Sequence, residues 1–182
     1  MEITDKIAQD VMRNVMKYAK ILKKDPENYE ARAEIMWCGS LSHNGLTGCG
    51  TCGGDWATHL IEHELGGMFD VAHGAGLAAV WGSWARYVMD EKPERFAQFA
   101  VDVMGVEESD DVKSTALKGI EAVEDFYRMI EMPTNLKELG IDPTDEQIKD
   151  MAMKATNHDT QQLGAFKKLS AKDLVEIYKT AK

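Results

Sequence analysis

The sequence predicts an all-α protein, a single bundle of about seven or eight helices. Apolar residues recur with the 3.6-residue period of an α-helix along almost the whole chain, and capping residues separate the periodic segments. No stretch alternates with period two for long enough to predict a strand. We find no linker or internal repeat, so residues 1–182 are expected to form one domain.

Most of the expected helices are bounded by a capping side chain, a proline or a glycine. Five glycines between Asn44 and Gly54 predict a loop after the second helix. The first expected helix ends near Lys24, the second is opened by Asp25-Pro26 and runs to about Asn44, and the third is capped by Asp55 and ends at Gly66-Gly67. The fourth runs from about His73 to Asp90, the fifth is opened by Pro93, and the sixth is capped by Ser109 and ended by Pro133. The seventh follows the Thr144–Gln147 capping box and runs to Ala155, and the last is capped by Ser170.

Charge and cysteine content narrow the classes of function. The formal net charge is −10 with a pI near 5.0, which disfavours nucleic acid and anionic membrane surfaces as partners. The first residues have neither the basic start nor the apolar run of a secretory signal. Because three cysteines cannot form a complete disulfide framework, we expect a cytoplasmic protein.

Three of the five histidines lie within fifteen residues, at His59, His63 and His73. His59 and His63 are four residues apart and share one helix face. We expect Gly66-Gly67 to reverse the chain, so that His73 returns to the same place from the next helix. Converging neutral imidazoles favour a borderline divalent cation, zinc or ferrous iron, and the alternative for each is a hydrogen-bonded surface histidine.

Other interpretations of the same segment stay open. The residues from His59 to His63 match the inverted zinc-peptidase pattern, with Glu62 as general base. Cys49 and Cys52 with the histidines resemble a shortened zinc finger, although only six residues separate Cys52 from His59. The two cysteines also have the spacing of a redox pair, but no strand–helix context surrounds them, so loop residues without chemistry are the preferred interpretation.

Four apolar residues close to the histidines in sequence, and the histidine at position 158, are further candidates for a functional role. Met68, Phe69, Trp81 and Trp84 are expected to pack in the core, with lining of an apolar substrate pocket as the alternative. Asn157-His158-Asp159 is expected to be a polar loop, with a role at a cleft as the alternative.

Taken as a whole, the chain resembles the C-terminal domain of iron-containing (group III) alcohol dehydrogenases, in the butanol dehydrogenase and NADPH-dependent aldehyde reductase branch. The resemblance covers the chain from end to end. It implies the helical part of a dehydroquinate-synthase-like fold. The residues that carry it are Glu30-Ala31-Arg32, the run Gly-Gly-Asp-Trp-Ala-Thr-His from Gly53 to His59, His63-Glu64-Leu65 and His73-Gly74.

The resemblance implies roles for the three histidines. His59 and His73 are implied to be metal ligands for Fe²⁺ or Zn²⁺. His63 is implied to lie beside the nicotinamide and the substrate, where it assists proton transfer. The implied reaction is hydride transfer between NAD(P)(H) and a small alcohol or aldehyde, whose oxygen the metal polarises.

Two features of the family are not found in these 182 residues. They are the family's own aspartate–histidine pair, four residues apart and placed before the region that this chain matches, and a Rossmann-like N-terminal nucleotide-binding domain. Asp55 precedes His59 by the same spacing, but we interpret it as a helix cap rather than a substitute ligand. We therefore expect the chain alone to be inactive, with that domain as its partner and a homo-oligomer, a dimer, as its assembly. The alternatives are a zinc metallopeptidase with the inverted motif and a non-catalytic helical remnant.

Overall fold

The computed structural model describes residues 1–51 and 53–182, and over those residues the predicted all-α fold is confirmed. The part of the cysteine predictions that involves Cys52 lies outside the described residues. Within the described ranges, the only β feature is an antiparallel bridge between Leu163 and Leu169. The helices are α1 Glu2–Lys24, α2 Tyr29–His43, α3 Ala57–Phe69, α4 His73–Val88, α5 Pro93–Asp102, α6 Val112–Met129, α7 Asp145–Ala155 and α8 Ala171–Ala181, with 3₁₀ turns at Leu46–Gly48 and Met89–Glu91.

Local capping signals predicted the start of α7 and of α8. The Thr144 hydroxyl accepts from the Gln147 N–H and the Gln147 side chain accepts from the Thr144 N–H, which completes the expected capping box. At α8 the Asp173 carboxylate accepts from both the N–H and the hydroxyl of Ser170. These caps involve partners three residues apart, so the sequence is enough to predict them.

The caps predicted for α2 and α6 were wrong by a few residues. The Asn28 side chain accepts from the Ala31 N–H at 3.0 Å, so α2 begins after Asn28 and Pro26 lies in the preceding turn. The Asp111 carboxylate accepts from the Lys113 N–H at 3.0 Å and caps α6. In both places a second residue with a capping side chain lies closer to the first helical N–H groups and accepts their hydrogen bonds instead.

The prediction that α3 ends at Gly66-Gly67 was also wrong. The helix continues through both glycines to Phe69, and the chain turns where Asp70 adopts the left-handed conformation with φ of 53°. Glycine weakens a helix without ending it, so flanking packing decides. Only residues 70–72 separate α3 from α4, and this tight connection brings the first residue of α4 back to the side of α3.

The core lies between α3, α4, α7 and α8. Ile61 and Leu65 of α3 are fully buried and belong to one hydrophobic cluster with Leu174 and Ile177 of α8. Because this face of α3 points inward, the neighbouring positions on α3 that carry histidines face outward. None of the helices in the described part of the chain has both the length and the apolarity needed to cross a bilayer.

Candidate metal centre

The three histidines come together where α3 meets the start of α4. His59 and His63 lie one turn apart on α3, and His73 is the first residue of α4. The centroid of the His73 ring lies 5.5 Å from that of His59 and 5.5 Å from that of His63. His59 is half-buried, whereas His63 and His73 are exposed, so the cluster forms part of the molecular surface.

The surroundings of His59 favour the neutral form of its ring and leave one ring nitrogen unpaired among the described residues. Its Nδ1 atom is buried and has no hydrogen-bond partner among the described residues, and its ring meets the edge of Trp56 at 4.8 Å between centroids. Burial is the main cause that lowers the pKa of His59 below the usual 6.5, and the neighbouring His73 and His63 rings lower it further. The ring is therefore a neutral imidazole at neutral pH, the form that binds a divalent cation.

Glu62 belongs to this cluster, although sequence analysis considered it only as the base of a peptidase motif. Its side chain is 2% exposed, and one carboxylate oxygen, Oε2, pairs with Nδ1 of His73. Glu62, His63 and His73 offer ligand atoms that all lie within 4.8 Å of one another. A buried carboxylate already engaged with His73 is poorly placed to activate a water molecule, which counts against the peptidase interpretation. The sequence predicted that His73 returns to α3, but no local pattern indicates that α4 packs closely enough for Glu62 to contact His73.

Asp55 anchors the start of the histidine helix, although Trp56 occupies the N-cap position and the predicted cap was therefore wrong by one residue. One oxygen accepts from the Ala57 N–H at 2.8 Å. The other accepts from the Ala165 N–H at 2.7 Å and the Phe166 N–H at 2.9 Å. Both oxygens are engaged with backbone donors, which opposes a role as a metal ligand.

The remaining candidates lie away from the cluster or in the core. Trp84 is buried, and the centroid of its ring lies 6.1 Å from that of Phe166. The ring centroids of Trp81 and Phe99 lie 6.2 Å apart. Met68 and Phe69 are partly buried against the same core. These residues pack as the favoured interpretation predicts. His158 is exposed in a polar loop in which residues 157–159 all have positive φ.

Comparison with known proteins matches the whole chain. The family model of Fe-containing alcohol dehydrogenases, C-terminal, covers residues 1–182. NADH-dependent butanol dehydrogenase A of Clostridium acetobutylicum is 32% identical over 178 residues, 97% of this chain and 45% of that protein. An NADPH-dependent aldehyde reductase of Escherichia coli is 31% identical over 182 residues, 100% of this chain and 46% of that protein.

Solved structures agree with the sequence relatives. The crystal structure of an NADH-dependent butanol dehydrogenase A from Thermotoga maritima superposes with a TM-score of 0.90 at 35% identity, over 99% of this chain and 46% of that chain. The chain therefore spans about half the length of the relatives that it matches.

Proposed function

The chain belongs to the iron-containing alcohol dehydrogenase family and corresponds to its C-terminal part, and from this premise we propose that it is the metal-binding part of an NAD(P)-dependent alcohol dehydrogenase. The whole enzyme would interconvert small primary alcohols and aldehydes. The observation that carries the proposal is the convergence of His59 and His73, from two different helices, to 5.5 Å between ring centroids. The names of the relatives, butanol dehydrogenases and an aldehyde reductase, support the substrate class.

The donor set fits a borderline divalent cation, Fe²⁺ or Zn²⁺. His59 and His73 would hold it, with two further ligands from outside these 182 residues. When bound, such an ion acts as a Lewis acid on a carbonyl or hydroxyl oxygen. His63 is exposed beside His73 and can pass a proton between the substrate oxygen and water.

Hydride transfer would need a dinucleotide-binding domain that lies outside the chain. Dinucleotide folds hold the pyrophosphate at a glycine-rich turn between a strand and a helix, and the described residues contain no such unit. Two imidazoles alone hold a metal weakly. The His73 side chain is 53% exposed, so water also weakens electrostatic contributions at the site. We therefore expect these 182 residues alone to show no turnover.

Zinc binding to the purified chain tests the ligand assignment by calorimetry. We expect His59→Ala and His73→Ala each to weaken binding by about tenfold or more, because each removes one of two ligands. His63→Ala should change it by no more than about threefold, since His63 acts on the substrate in this proposal. His158→Ala is the matched control outside the cluster. If His63→Ala weakens binding and His59→Ala does not, the ligands are Glu62, His63 and His73, and our assignment is wrong.

Turnover provides the second test. The zinc-loaded or iron-loaded chain is mixed with butanal and NADH or NADPH, and oxidation of the nicotinamide is followed by absorbance. We expect none. Turnover that disappears with His59→Ala would show that the chain is a complete catalyst.

A further inference from the structure

We propose that Glu62 is a positioning residue that fixes the His73 ring with Nε2 facing the metal position, an inference that rests on the function proposed above. Glu62 would touch neither metal nor substrate. It would act through its hydrogen bond with Nδ1 of His73.

The two partners of this bond differ sharply in burial. The Glu62 side chain is 2% exposed and the His73 side chain is 53% exposed. Glu62 sits on the core side of α3, between the fully buried Ile61 and the exposed His63 in sequence. The bond therefore ties an exposed ring to a buried carboxylate, which limits the rotation that the ring would lose on binding a metal.

The bond also selects a tautomer. An ionised carboxylate can only accept hydrogen bonds, so Nδ1 of His73 must carry the proton. In a neutral imidazole the other nitrogen, Nε2, then keeps its lone pair for a metal. Without the carboxylate, either nitrogen can carry the proton.

The backbone of α4 leaves room for this carboxylate. A Cβ atom on Gly76 would lie 2.7 Å from both Cγ and Oε1 of Glu62, closer than a real contact permits. Gly66 of α3 also borders Oε1, since its Cβ would lie 3.4 Å away. A Cβ on Gly74, in the same helix, would meet nothing within 4 Å. A glycine inside a helix costs about 1 kcal/mol relative to alanine. At Gly76 this cost is explained by the space that the Glu62 side chain requires.

NMR of the metal-free chain tests the tautomer directly. Long-range proton–nitrogen correlations at about pH 8.5, where a free imidazole is neutral, distinguish the Nδ1–H from the Nε2–H form. We expect His73 to be in the Nδ1–H form. In Glu62→Gln, which keeps the volume, the amide can either accept or donate, so the Nε2–H form should appear. Gly76→Ala should have the same effect by displacing the carboxylate, and Gly74→Ala is the matched control that should not.

Zinc affinity is the second measurement on the same variants. We expect Glu62→Gln and Gly76→Ala to weaken binding by roughly 10–100-fold, the usual cost of losing a partner that orients a ligand. Gly74→Ala should bind as the unmodified chain does, and circular dichroism checks that all variants remain folded. An Nε2–H form of His73 in the unmodified chain would overturn the proposal. Glu62→Gln and Gly76→Ala variants that keep both tautomer and affinity would overturn it equally.

The two proposals fail in different ways. If the unmodified chain binds no zinc but His73 is Nδ1–H and changes in both variants, the positioning role of Glu62 holds and the metal function is wrong. If zinc binds through His59 and His73 with no effect of Glu62→Gln on either measurement, the metal function holds and the positioning role is wrong.

Discussion

At the scale of single residues, one hydrogen bond joins α4 to the first turn of α8. The Tyr87 hydroxyl donates to Oδ1 of Asp173 at 2.6 Å. This bond, together with burial and the negative charge of Asp173, raises the pKa of Tyr87 to about 12. The same carboxylate caps α8 through Ser170, so a single side chain connects the cap with the helix that begins at His73.

We expect this bond to make stability depend on pH in the alkaline range. The folded pKa of Tyr87 is raised above the ordinary value of 10.0, so its contribution is complete below that pH and is lost as pH rises through about 12. Tyr87→Phe should lower the free energy of unfolding by about 1 kcal/mol near neutral pH. The difference between the two proteins should shrink across the alkaline window.

Urea denaturation at a series of pH values measures that difference. Tyr29→Phe is the control, because Tyr29 is 84% exposed and should leave the free energy of unfolding unchanged. A difference between Tyr87→Phe and the unmodified chain that stays constant through the alkaline window would contradict the assigned role.

The site residues show how far sequence reasoning reaches at this scale. The pair His59 and His63 could be placed on one face because the spacing along a helix is fixed. The bond from Glu62 to His73 could not, since it depends on how closely α4 packs on α3. The bonds from Asp55 to Ala165 and Phe166 cross more than a hundred positions of the sequence, which no periodic pattern encodes.

At the scale of elements, α5 and α6 approach each other closely enough to exclude a side chain. A Cβ atom on Gly119 of α6 would lie 2.4 Å from Cβ and 2.9 Å from Cα of Ala100 in α5. Relief would require the two helices to move apart, because one of the atoms in the way belongs to the backbone.

We expect Gly119→Ala to destabilise the protein by about 1–3 kcal/mol, the usual cost of overpacking. Gly39→Ala is the matched control, since a Cβ at this exposed position of α2 meets nothing within 4 Å. Gly39→Ala should raise the free energy of unfolding by about 0.5–1 kcal/mol, because alanine favours a helix more than glycine does. Thermal unfolding of both variants measures the effects, and equal shifts in one direction would refute the packing argument.

Element boundaries were predictable only where one signal stood alone. The capping box at Thr144 for α7 and the Ser170 cap for α8 were each the one signal present, and both were predicted at the right residues. At α2 two candidate caps, Asp25 and Asn28, compete within four residues, and local sequence does not rank them. The run through Gly66-Gly67 shows the same limit, because packing of α3 overrides a local breaker.

At the scale of the whole molecule, several large apolar side chains remain exposed, and two groups of them include tryptophan. The outer side of α2 exposes Tyr29, Met36 and Trp37, and Trp37 is 63% accessible. Trp56, 60% accessible, and Leu60 lie beside the histidine cluster. The periodic pattern predicted a bundle, but could not predict which apolar residues would stay uncovered.

We expect the isolated chain to self-associate through one of these surfaces, because burying exposed aromatic and sulfur side chains releases water. Sedimentation velocity over a range of concentrations measures this. Met36→Lys combined with Trp37→Glu should shift the equilibrium toward monomer if α2 is the contact, and Trp56→Glu should do so if the histidine surface is. Met129→Lys, at an exposed position on α6, is the control. A strict monomer at the highest concentration would contradict the expectation.

The anchoring of α3 has a consequence for synthesis of the chain. Besides the bonds from Asp55, the buried hydroxyl of Tyr178 donates to the backbone oxygen of Ile61 at 2.6 Å, across 117 positions. At about 5–20 residues per second, roughly 6–23 s pass between translation of Ile61 and of Tyr178. During that interval the segment carrying His59 and His63 lacks the contact with Tyr178, so the site can reach its final form only after synthesis has passed Tyr178.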